Sequence, residues 1–177
     1  MNHLLNPILA ALLGSMLTMP ALAMDPACQP VIDASAKMLT TPTHITSTTT
    51  AAYTGGKPRN TESIYAGNAI YVNVEGKWTR SKMTPQEMLK MEQENRGSKK
   101  GTCRYVRDES VNGEAAALYA ESSETEVGTT EAQTWISKSR GVPLRTEMDI
   151  DVGGSMGKSH MSMRYDYSNV HPPAGVQ

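Results

Sequence analysis

The chain has 177 residues, a formal net charge of −1, 38% hydrophobic residues and 20% charged ones. So even a balance counts against a nucleic-acid partner, which would favour a basic face. It also gives no electrostatic reason for lasting attachment to anionic lipid headgroups. Twelve Met and seven Tyr stand against two Trp and no Phe.

The chain begins with an apolar run, Leu4-Leu5 and then Pro7 to Leu13, continuing to about Leu17. Ala21-Leu22-Ala23 then supplies small residues of the kind signal peptidase reads at minus three and minus one. The pattern predicts a signal peptide over 1–23, export to the periplasm, and one domain over 24–177. A membrane anchor would need about 18 to 20 continuous apolar residues, and Gly14, Ser15, Thr18 and Pro20 interrupt the run too early. No stable membrane span is therefore expected after cleavage. Cys28 follows Asp25-Pro26-Ala27, a poor setting for lipid attachment, so soluble export is expected.

The two cysteines, Cys28 and Cys103, lack the close spacing of metal or redox pairs. In an exported chain an even pair predicts a disulfide. Closing a loop of about 75 residues would stabilise the fold by roughly 4 kcal/mol in the chain-entropy view.

Asp25-Pro26 opens the first element. Cys28, Val31, Ile32, Ser35, Met38 and Leu39 recur at helical spacing, and Pro42 ends the run. His44 to Tyr53 is rich in Thr and predicts a strand with few deep-core residues. Strands follow at Thr61 to Ala66, Ala69 to Glu75 and Lys77 to Ser81, separated by Gly67-Asn68 and Glu75-Gly76. Thr84-Pro85-Gln86-Glu87 is a capping box with Pro at the first helical position, and Gly97 is a plausible left-handed stop. Met88, Leu89 and Met91 give this second helix only a narrow apolar stripe, so it should lie on a surface and cover something.

Beyond Gly101 the pattern is all strand. Val111-Asn112-Gly113-Glu114 predicts a tight hairpin turn, because both central residues tolerate positive φ. It joins Thr102–Val111 to Glu114–Glu124, and Glu131–Lys138 follows. Two alternating runs close the chain. In the first, Val142, Leu144, Met148, Ile150 and Val152 share a parity; in the second, Met161, Met163, Tyr165 and Tyr167 do. Alternation of this kind requires a sheet with one buried and one wet face. The fold expected is α+β: a curved, incomplete antiparallel barrel (a half-barrel) of about seven or eight strands, with two short helices covering one face.

No constellation for catalysis is present. Gly157-Lys158-Ser159 lacks the earlier glycine of a phosphate loop and joins two strands. His44, His160 and His171 have no metal-site spacing, and His160 falls on the wet parity of its strand. Asp149 and Asp151 share a wet face with Arg145 and Glu147, so surface ion pairing accounts for them. No Gly-x-Ser-x-Gly elbow occurs. Neither an enzyme nor a cofactor is expected.

What remains is the Met- and Tyr-rich face. Met is flexible and polarizable, and suits a surface that must accept varied apolar shapes. It also suits an ordinary core. On the cavity reading, Met148, Ile150, Met161, Met163, Tyr165, Tyr167 and Trp135 line a site for a lipid, an acyl chain or another apolar ligand, with Met88, Leu89 and Met91 on its lid. On the other reading the interior is filled and the protein is an envelope interaction or sensing module with a protein partner.

Several segments taken in order resemble the LolA/LolB-like superfamily of bacterial periplasmic lipoprotein and lipid carriers. They are Gly76-Lys77-Trp78, Trp135-Ile136-Ser137-Lys138, Gly141-Val142-Pro143-Leu144-Arg145, and Tyr165 through Pro173. The resemblance implies an open antiparallel half-barrel whose apolar interior accepts acyl chains beneath covering helices. It also implies an arginine that latches the lid, for which Arg104 and Arg164 are alternatives. The chain is short for such carriers and lacks Phe.

Overall fold

The computed structural model describes residues 25–95, 100–125, 127–154 and 157–176. The expected signal peptide over 1–23 and the Gly97 helix stop lie outside these residues. A 3-10 turn at Pro26–Cys28 leads into α1, Gln29–Thr40. The strands are β1 Thr43–Ala51, β2 Arg59–Ala66, β3 Ala69–Val74 and β4 Lys77–Arg80. After α2, Pro85–Asn95, come β5 Lys100–Val111, β6 Glu114–Thr125, β7 Gly128–Ser137, β8 Pro143–Asp151 and β9 Lys158–Asp166.

Nine strands form one unclosed, curled antiparallel sheet, against the seven or eight expected, in the order β4-β3-β2-β1-β9-β8-β7-β6-β5. Two meanders meet where β1 pairs with β9, Ile45 opposite Tyr165. The connection through α2 carries the chain from one sheet edge, β4, to the other, β5. That crossover is why a mostly polar helix lies over the sheet.

Local chemistry sets the turns. Asn112 and Gly113 have φ of 52° and 84°, the left-handed pair of a two-residue hairpin. The capping box forms as expected: the Thr84 amide donates to Glu87 Oε2 at 2.8 Å, and the Glu87 amide to Thr84 Oγ1 at 3.2 Å. Gly128 is required by close approach, since a Cβ there would run into the Asp151 carbonyl oxygen.

Residues directly opposite one another across strands point to the same face. The register therefore places Tyr65, Ile45, Tyr165, Thr146, Thr134 and Tyr119 on one face. Both helices cover this face. Val31 and Ala34 of α1 pack on Ile136 with Tyr119, and Tyr65 Oη donates to Met88 Sδ of α2 at 3.8 Å. The Cys28–Cys103 disulfide ties the front of α1 to β5.

The opposite face carries two separate apolar clusters. Ile64, Ala66, Ala69 and Tyr71 are capped by Trp78 and by Val170 and Val176 of the C-terminal strap. Ala116, Leu118, Trp135 and Leu144 form the second cluster, joined by Tyr167, Val106 and Val111.

Candidate ligand cavity

Beneath α1 and α2 lies a cavity of about 440 Å³. The helices supply Cys28, Val31, Ile32, Ser35 and Glu92, and the sheet supplies Cys103, Glu121, Thr130, Ala132 and Met148, with neighbouring small residues of β5 and β6. Its position follows from the residues present. The helix-covered face of β5 to β7 carries Gly101, Cys103, Ser123 and Ala132, which are too short to fill the space under the helices.

The Met and Tyr residues divide. Met148 lines the cavity, and Met161 is its direct neighbour on β9. Ile150 sits opposite Thr130, another lining residue, on the same face. Met163 and Tyr165 continue that face away from the cavity, where Tyr165 Oη lies 3.3 Å from Thr146 Oγ1 and donates to Met163 Sδ at 3.8 Å. Burial pushes the Tyr165 phenol up to about 12. On α2, Met88 and Leu89 are half-buried and Met91 is exposed, and the α2 residue that reaches the cavity is Glu92.

Trp135 and Tyr167 lie elsewhere. Register places Trp135 opposite Leu118 and Arg145, on the face away from the helices. The Arg145 guanidinium lies over its ring at 4.7 Å, and its indole N–H donates to Glu109. Tyr167 Oη donates to the Pro143 carbonyl at 2.6 Å, with Arg140 over its ring at 4.8 Å. Leu144 joins them because β8 carries an extra residue there: Trp135 pairs with Arg145, but Ile136 pairs with Pro143. Arg104, opposite Ala120, and Arg164, opposite Thr46, are both exposed on that face too, so neither reaches under the helices.

The wet face is an ion-pair lattice. Arg145 pairs with Glu147 at 2.7 Å, and His160 bridges Glu147 at 3.1 Å and Asp149 at 2.8 Å. The Asp149 bond is the main cause that raises the His160 pKa. A second hollow of about 560 Å³, on this face, is lined by His44, Glu114, Arg140, Arg164, Asp166 and Tyr167 among others. It is more polar, and Glu114 there already accepts two bonds from Arg140, at 3.0 and 2.6 Å. The smaller cavity is the more apolar of the two.

Among the described residues no group of three or more His, Cys, Asp or Glu could hold a metal ion, and no helix is long and apolar enough to cross a membrane. Sequence spacing placed Met148, Met161 and Met163 together on the helix-covered face. It missed the contributions of α1 and Glu121, although the helical spacing of Cys28, Val31, Ile32 and Ser35 was the available signal.

No protein-family model and no curated protein matches the chain. Solved structures do. LprF from Mycobacterium bovis is 12% identical, with a TM-score of 0.43, over 85% of this chain and 99% of that one. The lipoprotein LppX from Mycobacterium tuberculosis is 12% identical, with a TM-score of 0.42, over 81% and 98%. MucB is 12% identical, with a TM-score of 0.44, over 85% of this chain and 62% of its own. Overlaps this loose contribute nothing to a functional reading, which rests on this chain's own residues.

Proposed function

We propose that the protein is a non-catalytic binding protein of the periplasm that holds a lipid, an acyl chain or another apolar molecule between its helices and its sheet. The observation that carries this is the cavity bounded by Val31, Ile32, Ala132, Met148 and the disulfide. Its 440 Å³ falls at the low end of the roughly 300–1,000 Å³ usual for small-molecule sites. A single chain suits that volume better than a multiply acylated anchor. Met148 lies on the floor with Ile150 and Met161 beside it, Met163 and Tyr165 extend the same face beyond it, and α2, which carries Met88, Leu89 and Met91, serves as part of the lid. The Cys28–Cys103 bridge supports an oxidising compartment, in keeping with a signal peptide over 1–23.

The alternative, an interaction module with a filled interior, gives no reason for a cavity under the helices. The long edge strand β5 does not favour it either. Arg104, Arg107 and Asp108 and the irregularity between Tyr105 and Arg107 blunt that edge against strand addition. Native mass spectrometry and lipid extraction on protein prepared from a periplasm test the proposal. A co-purifying apolar molecule supports it. Failure to take up any neutral apolar dye or lipid would sink it.

A further inference from the structure

A carboxyl group stands on the floor of the cavity, among the apolar Val31, Ile32, Ala132 and Met148 and a set of Ser and Thr hydroxyls. Glu121 faces the cavity from β6, between Cys103 on one neighbouring strand and Ala132 on the other. Thr134 Oγ1 donates to its Oε1 at 2.7 Å. Its Oε2 has no hydrogen-bond donor among the described residues. Glu92 reaches the same cavity from α2, so both charged groups among its described lining residues are carboxyls and none is Lys, Arg or His. Tyr119, two residues along β6 on the same face, and Tyr165 across the sheet are phenols that also cannot supply positive charge.

Burying a carboxyl in apolar surroundings costs free energy unless a donor meets it. A packed core would have no reason to keep one there. A binding site has one, because a few placed polar groups fix a ligand's orientation within apolar walls. Desolvation pushes the Glu121 carboxyl up, against the opposing effect of the Thr134 bond.

From these positions we infer that the cavity selects an amphiphile whose head donates hydrogen bonds, a primary ammonium foremost, seated on Glu121 Oε2, and discriminates against a carboxylate head. This rests on the apolar-binding reading and adds the head-group class to it. A carboxylate head would face two like-charged groups in a poorly solvated space. An ammonium head would gain a charge-assisted bond together with ion pairing, and a hydroxyl head the bond to the carboxylate alone.

The test is displacement of the uncharged dye Nile red by dodecylamine, dodecanol and dodecanoate at pH 7. The amine should displace it at about one-tenth the concentration that dodecanoate needs, a tenfold affinity difference. Glu121→Gln keeps an oxygen for Thr134 and turns an amide donor toward the cavity. It should weaken amine binding and strengthen dodecanoate binding, while a single cooperative thermal transition shows that the variant is folded. Glu92→Gln, on the lid surface, should shift the preference the same way by less. Equal displacement by all three, or a preference that Glu121→Gln leaves intact, overturns the head-group assignment while the apolar cavity stands. Absence of Nile red uptake by the unaltered protein overturns both.

Discussion

Leu144 and Met148 lie four residues apart on β8 yet serve opposite faces of the sheet. Leu144 packs with Leu118 and Trp135, while Met148 lines the cavity beneath the helices. The extra residue in β8 at the Trp135/Ile136 register shift produces this. A bulge of this kind rotates the strand locally and increases its twist. The sheet can thus bury a compact cluster on one side while leaving space on the other.

That division is measurable as coupling. Leu118 is 2% exposed, so Leu118→Ala should cost about 2–5 kcal/mol. In denaturant unfolding, Leu118→Ala and Leu144→Ala should be non-additive, because they share one cluster. Leu144→Ala and Met148→Ala should add within about 0.5 kcal/mol. Strong coupling between Leu144 and Met148 would place them on one face and contradict the register.

The disulfide should govern the cavity as well as stability. It closes a loop with a sequence separation of 75 and forms part of the cavity wall. Reduction, or paired Cys28→Ser and Cys103→Ser substitution, should lower stability by about 2–4 kcal/mol. Amide exchange should show α1 opening before the central strands. Uniform loss of protection across the sheet would show instead that the bridge acts on the whole fold.

The α2 cap is a separable element. Thr84→Ala removes the hydroxyl that accepts from the Glu87 amide and donates to Glu87 Oε2, while the Thr84 amide bond to Glu87 remains, and should cost about 1 kcal/mol. Exchange in α2 should quicken, with little change in β6 to β8. Glu87 itself is held below its ordinary pKa by the Thr84 amide bond first, so its share of the cap is present above the ordinary carboxylate range and fades as pH falls through the lowered value.

The His160 cluster gives a pH signature of definite sign. Its pKa is raised above the ordinary 6.5, by the Asp149 bond first. Its contribution is therefore fully present below about 6.5 and is lost as pH rises through the raised value. Burial works against Glu147 ionising, but its bonds from Arg145 and Ser162 and the nearby His160 hold its pKa below the ordinary value. That contribution is present above the ordinary carboxylate pKa and is lost as pH falls. Thermal stability should decline from pH 6 toward pH 8, and His160→Gln should flatten the decline. The effect is small, because the imidazole is half-exposed and solvent screens it. An unchanged slope in the variant would remove His160 from the account.

Much of the architecture was legible because its causes are local. The Asn112-Gly113 turn, the Thr84–Glu87 box and the β8–β9 alternation each rest on residues close in sequence, and the cysteine pair follows from compartment chemistry. The misplacements of Leu144 and Tyr167 have different physical causes. Period-two parity is counted along the chain, and a single extra residue at Leu144 resets the count without changing local composition. Tyr167 lies beyond the end of β9, where strand parity no longer applies. Strand order was illegible for a different reason: the β1–β9 pairing joins residues such as Ile45 and Tyr165 from opposite ends of the described chain. Glu121 is a polar residue on the covered face, and alternation alone could not mark it as a floor residue.

Ala132→Leu tests the central claim most directly. Ala132 is 9% exposed, lines the cavity and neighbours Met148 across the β7–β8 pair. A hollow interior predicts that the larger side chain fills empty space, so Nile red uptake falls at least about tenfold while the thermal midpoint holds or rises. A fall in the midpoint caused by overpacking, with dye uptake unchanged, would show that the space is already filled and would contradict the account.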